Sequence, residues 1–442
     1  MSGNVVNLSQ EQIDSYWMPF TGNRHFKKDP RIVVAAEGCY YTSADGRKVF
    51  DGLSGLWTTG AGHSRKEINQ AVADQVARLD YSPAFQFGHP KAFEYAHRIT
   101  QFMPAGLNRV FFTGSGSEAA DTALKIVRAY WRKKGLASKT KIIGRVKGYH
   151  GVNYGGTSVG GIPGNKAWFG SGLETYHLPH TMIPGNEFSK GEPETGAECA
   201  NYLLDLINLH DASNIAAVMI EPMSGSAGVI PPPKGYLKRI EQICRDNNIL
   251  LIFDEVITGF GRLGYKTGSE AYDIQPDIIN IAKQMTNGVI PMGGVVCKQE
   301  IYDTFMETGG PEYQLELPHG YTYSAHPVAC AAGLATLDLI EREGLIERSR
   351  SLAPVLERCI HELKGLPTVT DIRNCGMAGA LTLEAYPGEP TRRPIEIVLK
   401  MWEKGFYVRN GGDTLQFAVP FIATEQEISD LFSALGDCLK AQ

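Results

Sequence analysis

The chain has 442 residues, more than one simple core accommodates, so a large folding unit plus a smaller one is expected. A formal net charge of −5 supplies no field for nucleic acid or an anionic membrane, and the short basic stretches at 24–28 and 132–134 read as solvated faces. Eight cysteines at scattered spacings form no zinc pattern and suit reduced thiols.

The N-terminal stretch has no charged region followed by an apolar run, and no window reaches the roughly 20 apolar residues of a membrane span. A cytoplasmic protein that binds neither membrane nor nucleic acid is predicted, and the sequon at Asn7 should be silent. From about residue 60 to 325, strand-like and helix-like segments alternate. "RVFF" (109–112), "AAVMI" (216–220), "ILLIF" (249–253) and "IINIA" (278–282) are continuously apolar, as strands buried on both faces of a parallel sheet require.

The segment 117–135 places Ala120, Ala123, Leu124, Val127, Tyr130 and Trp131 on one helical stripe, with a serine at its start and Gly135 at its end. A second helix, 236–248, leads into the strand at 249, and 155–164 is a Gly-rich loop. Beyond about residue 330 the texture changes to helix (345–363) and short strand (377–384). We therefore expect an α/β architecture with a mainly parallel sheet in residues 56–328, and a smaller α+β domain formed by 329–442 together with the first 55 residues.

Each apolar run ends in polar residues. "RVFF" leads to Thr113-Gly114-Ser115-Gly116-Ser117, "AAVMI" to Glu221, "ILLIF" to Asp254-Glu255 and "IINIA" to Lys283. Ligands of open α/β sheets bind outside the carboxyl ends of the strands, so these groups should converge. The Gly/Ser turn before a helix suits a phosphate, although such a turn also serves simply as a cap. It is neither the spaced-glycine dinucleotide fingerprint nor a nucleotide P-loop.

Asp254, after an apolar strand, needs a partner to ionise. A protonated ring nitrogen would serve, and so would an arginine such as Arg262. Lys283 could reach solvent along its stem, or act as a desolvated amine on a carbonyl. Phosphate cradle, carboxylate and lysine together match the handles of pyridoxal 5′-phosphate (PLP).

Across nearly its whole length the chain resembles the class III (ω-type) aminotransferases of PLP-dependent fold type I, the aspartate aminotransferase-like fold, and is most similar to those acting on β-alanine or ω-amino acids with pyruvate. The likeness rests on "WMPF" (17–20), "SGLWTTGAGHSRKEI" (54–68), "FFTGSGSEAADTALK" (111–125), "GYHGVN" (148–153), "IEPMSGSAGV" (220–229), "LIFDEVITGFGRLG" (251–264), "AKQMTNG" (282–288), "HGYTYSAHPVACAAGLA" (319–335) and "GFYVRNGGDTLQF" (405–417).

The resemblance implies that Lys283 carries PLP and moves the substrate proton, and that Asp254 holds the pyridine nitrogen protonated. Ser115, Gly116 and Ser117 would bind the phosphate, with Thr322 from a neighbouring subunit. Tyr149 and Val256 would cover the two ring faces, and Glu221 would lie on the 3′-oxygen side. Phe20, Trp57 and Tyr149, with Phe85 and Phe87 of the second subunit, would wall the substrate pocket. Arg409 would grip the α-carboxylate of pyruvate or alanine and swing aside for donors lacking one. A homodimer or tetramer with shared active sites follows.

One departure points to the acceptor. GABA and ornithine aminotransferases of this class have a glutamate where this chain has Ser226, which favours pyruvate over 2-oxoglutarate. The expected activity is ping-pong transamination from an ω-amino acid or primary amine to pyruvate. A decarboxylase or aminomutase of the same class, or a non-catalytic α/β protein, would be the rival.

Overall fold

A computed structural model describes residues 8–442, so the sequon's Asn7 lies outside the described residues. Three sheets organise the described residues. A small N-terminal sheet has β1 (Val33–Glu37), β2 (Tyr40–Ser43) and β3 (Lys48–Asp51). The central sheet comprises β4 (Leu107–Thr113), β5 (Lys141–Arg145), β6 (Thr175–Leu178), β7 (Ile215–Ile220), β8 (Leu250–Asp254), β9 (Ile278–Ala282) and β10 (Gly293–Lys298). The C-terminal sheet is formed by β11 (Val369–Cys375) and β12 (Ala378–Leu383), then, after β13 (Phe406–Tyr407) has paired in parallel with β3, by β14 (Arg409–Gly411) and β15 (Thr414–Phe417).

The central order is β4-β10-β9-β8-β7-β5-β6. Every pairing is parallel except those of β10, which runs antiparallel to both β4 and β9. β7, β8 and β9 are buried at every position, as their unbroken apolar sequences require. β4 is an edge strand and only half-buried along its middle, so "RVFF" is not enclosed on both faces as expected.

The helix after β4 spans Gly116–Lys133 and buries all six residues of the predicted stripe. Ala119, Thr122 and Ile126 are buried as well. The apolar face is wider than a single stripe because the helix packs against β10 and β9 rather than standing at a surface. Gly135, at φ +77, follows its end. The helices Tyr236–Asp246 and Leu345–His361 lie where the periodicity puts them.

All eight cysteines are free and buried. No described helix is long and apolar enough to cross a membrane.

Candidate active site

The antiparallel β10 leaves the expected convergence intact. Gly293 at its start lies opposite both Thr113, the last residue of β4, and Ala282, the last of β9. Asp254 pairs with Asn280 and Ile220 with Phe253, so the ends of β4, β7, β8 and β9 share one edge of the sheet. Beyond Ala282 the chain leaves the strand as a tight turn, with Lys283 at φ +52. That left-handed conformation is costly for a residue with a Cβ, and such strain concentrates where surrounding structure fixes a functional group.

Asp254 is buried, and its partner is His150. The ring Nδ1 lies 2.8 Å from Asp254 Oδ2, while Oδ1 accepts from the Val256 N–H at 3.1 Å. His150 Nε2 is buried without a hydrogen-bond partner among the described residues. Arg262 does not serve Asp254: it donates to the carbonyls of Met377 and Val419 and to Ser54 Oγ, tying the large sheet's loops to the C-terminal segment.

The neighbouring carboxylate, Glu255, caps a helix instead. That carboxylate accepts from the Gly268 and Ser269 N–H groups at the start of a short helix, and from Ser269 Oγ and Thr258 Oγ1. One acidic residue of the pair is structural, and the other faces the site.

Lys283 Nζ has no hydrogen bond or ion pair among the described residues. Burial, with a smaller contribution from the Arg409 charge, brings its pKa down to about 8 against the opposing pull of Asp254 and Glu221. An amine so placed is neutral far more often than a surface lysine, which is what a nucleophile for carbonyls needs. Glu221 is buried beside it; desolvation raises its pKa, while its oxygens accept from the Tyr149 N–H at 2.9 Å and the Gly225 N–H at 3.2 Å.

The turn after β4 is a helix N-terminus locked from both sides. Ser115 Oγ caps it by accepting from the Glu118 N–H at 3.2 Å, and Glu118 Oε2 reaches back to the Gly114 N–H at 2.6 Å. Gly116 and Ser117, the first two helical residues, lack intrahelical acceptors for their N–H groups. Ser117 Oγ accepts from the Val152 N–H at 3.1 Å, which leaves its own proton free to donate. A Cβ on Gly116 would sit 3.1 Å from Val256 Cγ1, so glycine keeps this end of the helix close to the Asp254 loop.

The remaining residues divide in two. Tyr149, Val256 and Arg409 are half-buried around the strand ends, and the Arg409 charge acts on both Tyr149 and Lys283. Trp57 is buried in an apolar cluster with Met223, Val229 and Ile257, its indole N–H unpartnered among the described residues. Phe20, Phe85 and Phe87 stand exposed on the single chain, as does Thr322. Thr322 accepts from Tyr81 OH through its carbonyl and lines a cleft of about 640 Å³ with Tyr81, Tyr323 and His326; Lys283 is not among the residues lining it.

Residues 22–439 match the family model described as aminotransferase class-III. The chain belongs to the class III aminotransferases. It is 59% identical to the β-alanine–pyruvate aminotransferase of Pseudomonas aeruginosa, over 98% of this chain and 96% of that protein. It is 56% identical to the ω-amino acid–pyruvate aminotransferase of Pseudomonas putida, with the same coverage. The solved structure of the Pseudomonas jessenii ω-transaminase in complex with PMP superposes with a TM-score of 0.91 at 30% identity, covering 98% of both chains.

The expected fold type is therefore the observed one, and class III enzymes depend on PLP. The groups on the sheet edge fit that cofactor: a partnerless lysine amine, a buried carboxylate and a helix N-terminus with free N–H groups. His150 was not singled out from the sequence, although it stands in the "GYHGVN" stretch. Its only local signal is adjacency to Tyr149, because its partner is 104 positions away.

Proposed function

We propose that this class III enzyme transfers the amino group of an ω-amino acid, or of another primary amine, to pyruvate and releases alanine in a ping-pong sequence. The names of the relatives at 59% and 56% identity support that substrate pair. The observation that carries the chemistry is the partnerless, pKa-lowered Lys283 beside the His150–Asp254 pair.

In this reading Lys283 would hold PLP through its amine, and the same Nζ would move a proton at the donor carbon. Asp254, steadied by His150, keeps a proton on the pyridine nitrogen. PLP supplies an electron sink for the bond broken at that carbon. The N–H groups of Gly116 and Ser117, with the Ser117 hydroxyl, bind phosphate at the helix N-terminus, where Ser115 acts through its cap. Tyr149 and Val256 would flank the ring, and Glu221 fixes the Tyr149 backbone.

The Arg409 guanidinium has no hydrogen bond or ion pair among the described residues and is assigned to the α-carboxylate of pyruvate. Trp57 backs the donor pocket from the core. Phe20 forms part of its mouth. Phe85, Phe87 and Thr322 are exposed on their own chain and are assigned to the site of a second copy, so a homodimer is the working unit. The pairing of β13 with β3 supports treating the first 55 residues and 329–442 as one smaller domain beside 56–328. Eight unpaired cysteines suit a reducing cytoplasm.

The test is alanine formation from pyruvate across a panel of amine donors. Turnover should be measurable for wild type and fall at least ~10³-fold in Lys283→Ala, while the variant still binds inorganic phosphate. Carbon dioxide release, or amine migration without alanine, would indicate another class III reaction. Normal turnover in the variant would overturn the lysine assignment.

A further inference from the structure

Arg409 belongs to a row that crosses the C-terminal sheet. It lies opposite Gln416 of β15, Gln416 opposite Ala380 of β12, and Ala380 opposite Arg373 of β11. Directly opposed residues of antiparallel strands project on the same face. Two members of the row grasp the same turn: Arg373 Nε donates to the Gly228 carbonyl at 2.7 Å, and Gln416 Nε2 to the Ser226 carbonyl at 2.8 Å. The turn then passes through Val229 at φ +50, a left-handed conformation unusual for a β-branched residue. Its first N–H, on Gly225, is held by Glu221, whose other oxygen holds Tyr149.

Two polar groups of the row are left over. Gln416 is wholly buried, and because its amide N–H group is committed to Ser226, its Oε1 is directed elsewhere and has no partner among the described residues. A buried acceptor without a donor is unfavourable, and a nearby mobile donor relieves it. Arg409, its cross-strand neighbour, is the other group, a guanidinium with donors to spare and no acceptor among the described residues.

We propose that Gln416 Oε1 is the resting acceptor of Arg409, and thereby a specificity-determining positioning residue of the site. This deepens the assignment of Arg409 to the substrate carboxylate and rests on it. When the bound amine lacks a carboxylate at that position, the guanidinium draws back onto Gln416; when pyruvate or alanine binds, the carboxylate takes it. The ranking follows from charge. A neutral amide oxygen accepts an ordinary hydrogen bond, whereas a substrate carboxylate forms a shorter, bidentate, charge-assisted pair, so the substrate wins without the site first breaking an ion pair. Ser226, on the turn beside Gln416, is likewise neutral and does not compete.

The experiment compares the holoenzyme variants Gln416→Glu and Gln416→Met, each alone and combined with Arg409→Ala. Both lose the amide donor to Ser226, so damage to the turn is common to them; only glutamate offers Arg409 a permanent counter-charge. The readouts are KM for pyruvate, KM for butylamine as a carboxylate-free donor, and the calorimetric Kd of propionate without turnover.

Gln416→Glu should raise pyruvate KM and propionate Kd about tenfold relative to Gln416→Met. Gln416→Met should raise butylamine KM about fivefold while changing pyruvate KM less, because the unparked guanidinium then crowds the apolar donor. In the Arg409→Ala background the two variants should coincide. If Gln416→Glu fails to fold, the unequal effect of Gln416→Met on the two substrates decides alone. Equal shifts for both substrates in both variants, or a split that survives Arg409→Ala, would show a purely structural Gln416 and overturn the proposal. If wild type makes no alanine, or Arg409→Ala keeps the wild-type pyruvate KM, the assignment of Arg409 falls first, and the proposal with it.

Discussion

Lys283 concentrates several costs in one residue. It has a left-handed backbone, a half-buried amine and no partner among the described residues, and two nearby carboxylates only partly restore its affinity for a proton. With its pKa lowered to about 8, the neutral, nucleophilic form grows as pH rises through that value. Uptake of PLP by cofactor-free protein should therefore accelerate between pH 7 and 8 and level off above about pH 9, followed by the absorbance of the loaded enzyme. A surface lysine near its ordinary value of 10.5 would go on accelerating past pH 10. Linkage has the same sign: the unfolded lysine binds its proton more tightly than the folded one, so this group's destabilisation of the empty fold lessens as pH rises from about 8.

At the same scale, the sequence marks Asp254 rather than Glu255 by its place directly after the apolar strand and by its position in the motif. The structure supplies the physical difference: Glu255 has its oxygens taken by the Thr258, Gly268 and Ser269 groups, whereas Asp254 is oriented by one histidine and one N–H. His150 and Gln416 escaped notice because a histidine or glutamine gives no periodic signal, and the carboxylate that His150 serves and the turn that Gln416 holds each lie more than a hundred positions away.

Among the elements, β10 is the one that sequence reading missed and the site depends on. "GGVVCK" is short and opens with two glycines, which weaken a strand assignment. Its glycines have a packing reason: a Cβ on Gly293 would fall 2.7 Å from Thr113 Oγ1 and overlap the Ser115 carbonyl. Backbone there cannot move without shifting the capped turn. Gly293→Ala should lower stability by about 1–3 kcal/mol in urea unfolding and weaken inorganic phosphate binding, whereas an alanine in the open surroundings of Gly164 should do neither. β4 shows the converse case, since its apolar run was legible but its position at the sheet edge was not.

For the whole molecule, Phe85, Phe87, Tyr323 and Leu315 expose large apolar side chains on the single chain. Apolar exposure of this kind suits contact between copies. The protein should run in sedimentation at about twice the 48.4 kDa of one chain. If the proposed sharing of the site holds, dilution that splits the pair should abolish transamination, because the pocket would lose the second copy's Phe85, Phe87 and Thr322. A fully active monomer would refute the shared site.

The sequence by itself determined the α/β class, the main buried strands, the helix after β4 and the family, since these depend on local periodicity and on ordered motifs that need no folding to be read. That Lys283, Asp254 and the Gly/Ser turn meet at one sheet edge was legible because each stands directly at the end of an apolar strand. Only the tertiary structure decided that β10 runs antiparallel between β4 and β9, that His150 serves Asp254 while Arg262 does not, and that Gln416 shares a row with Arg409. The first two are pairings across long separations and the third is a hairpin register; all are fixed by strand register or by the need of each buried polar group for a partner, which hydrophobic periodicity does not report.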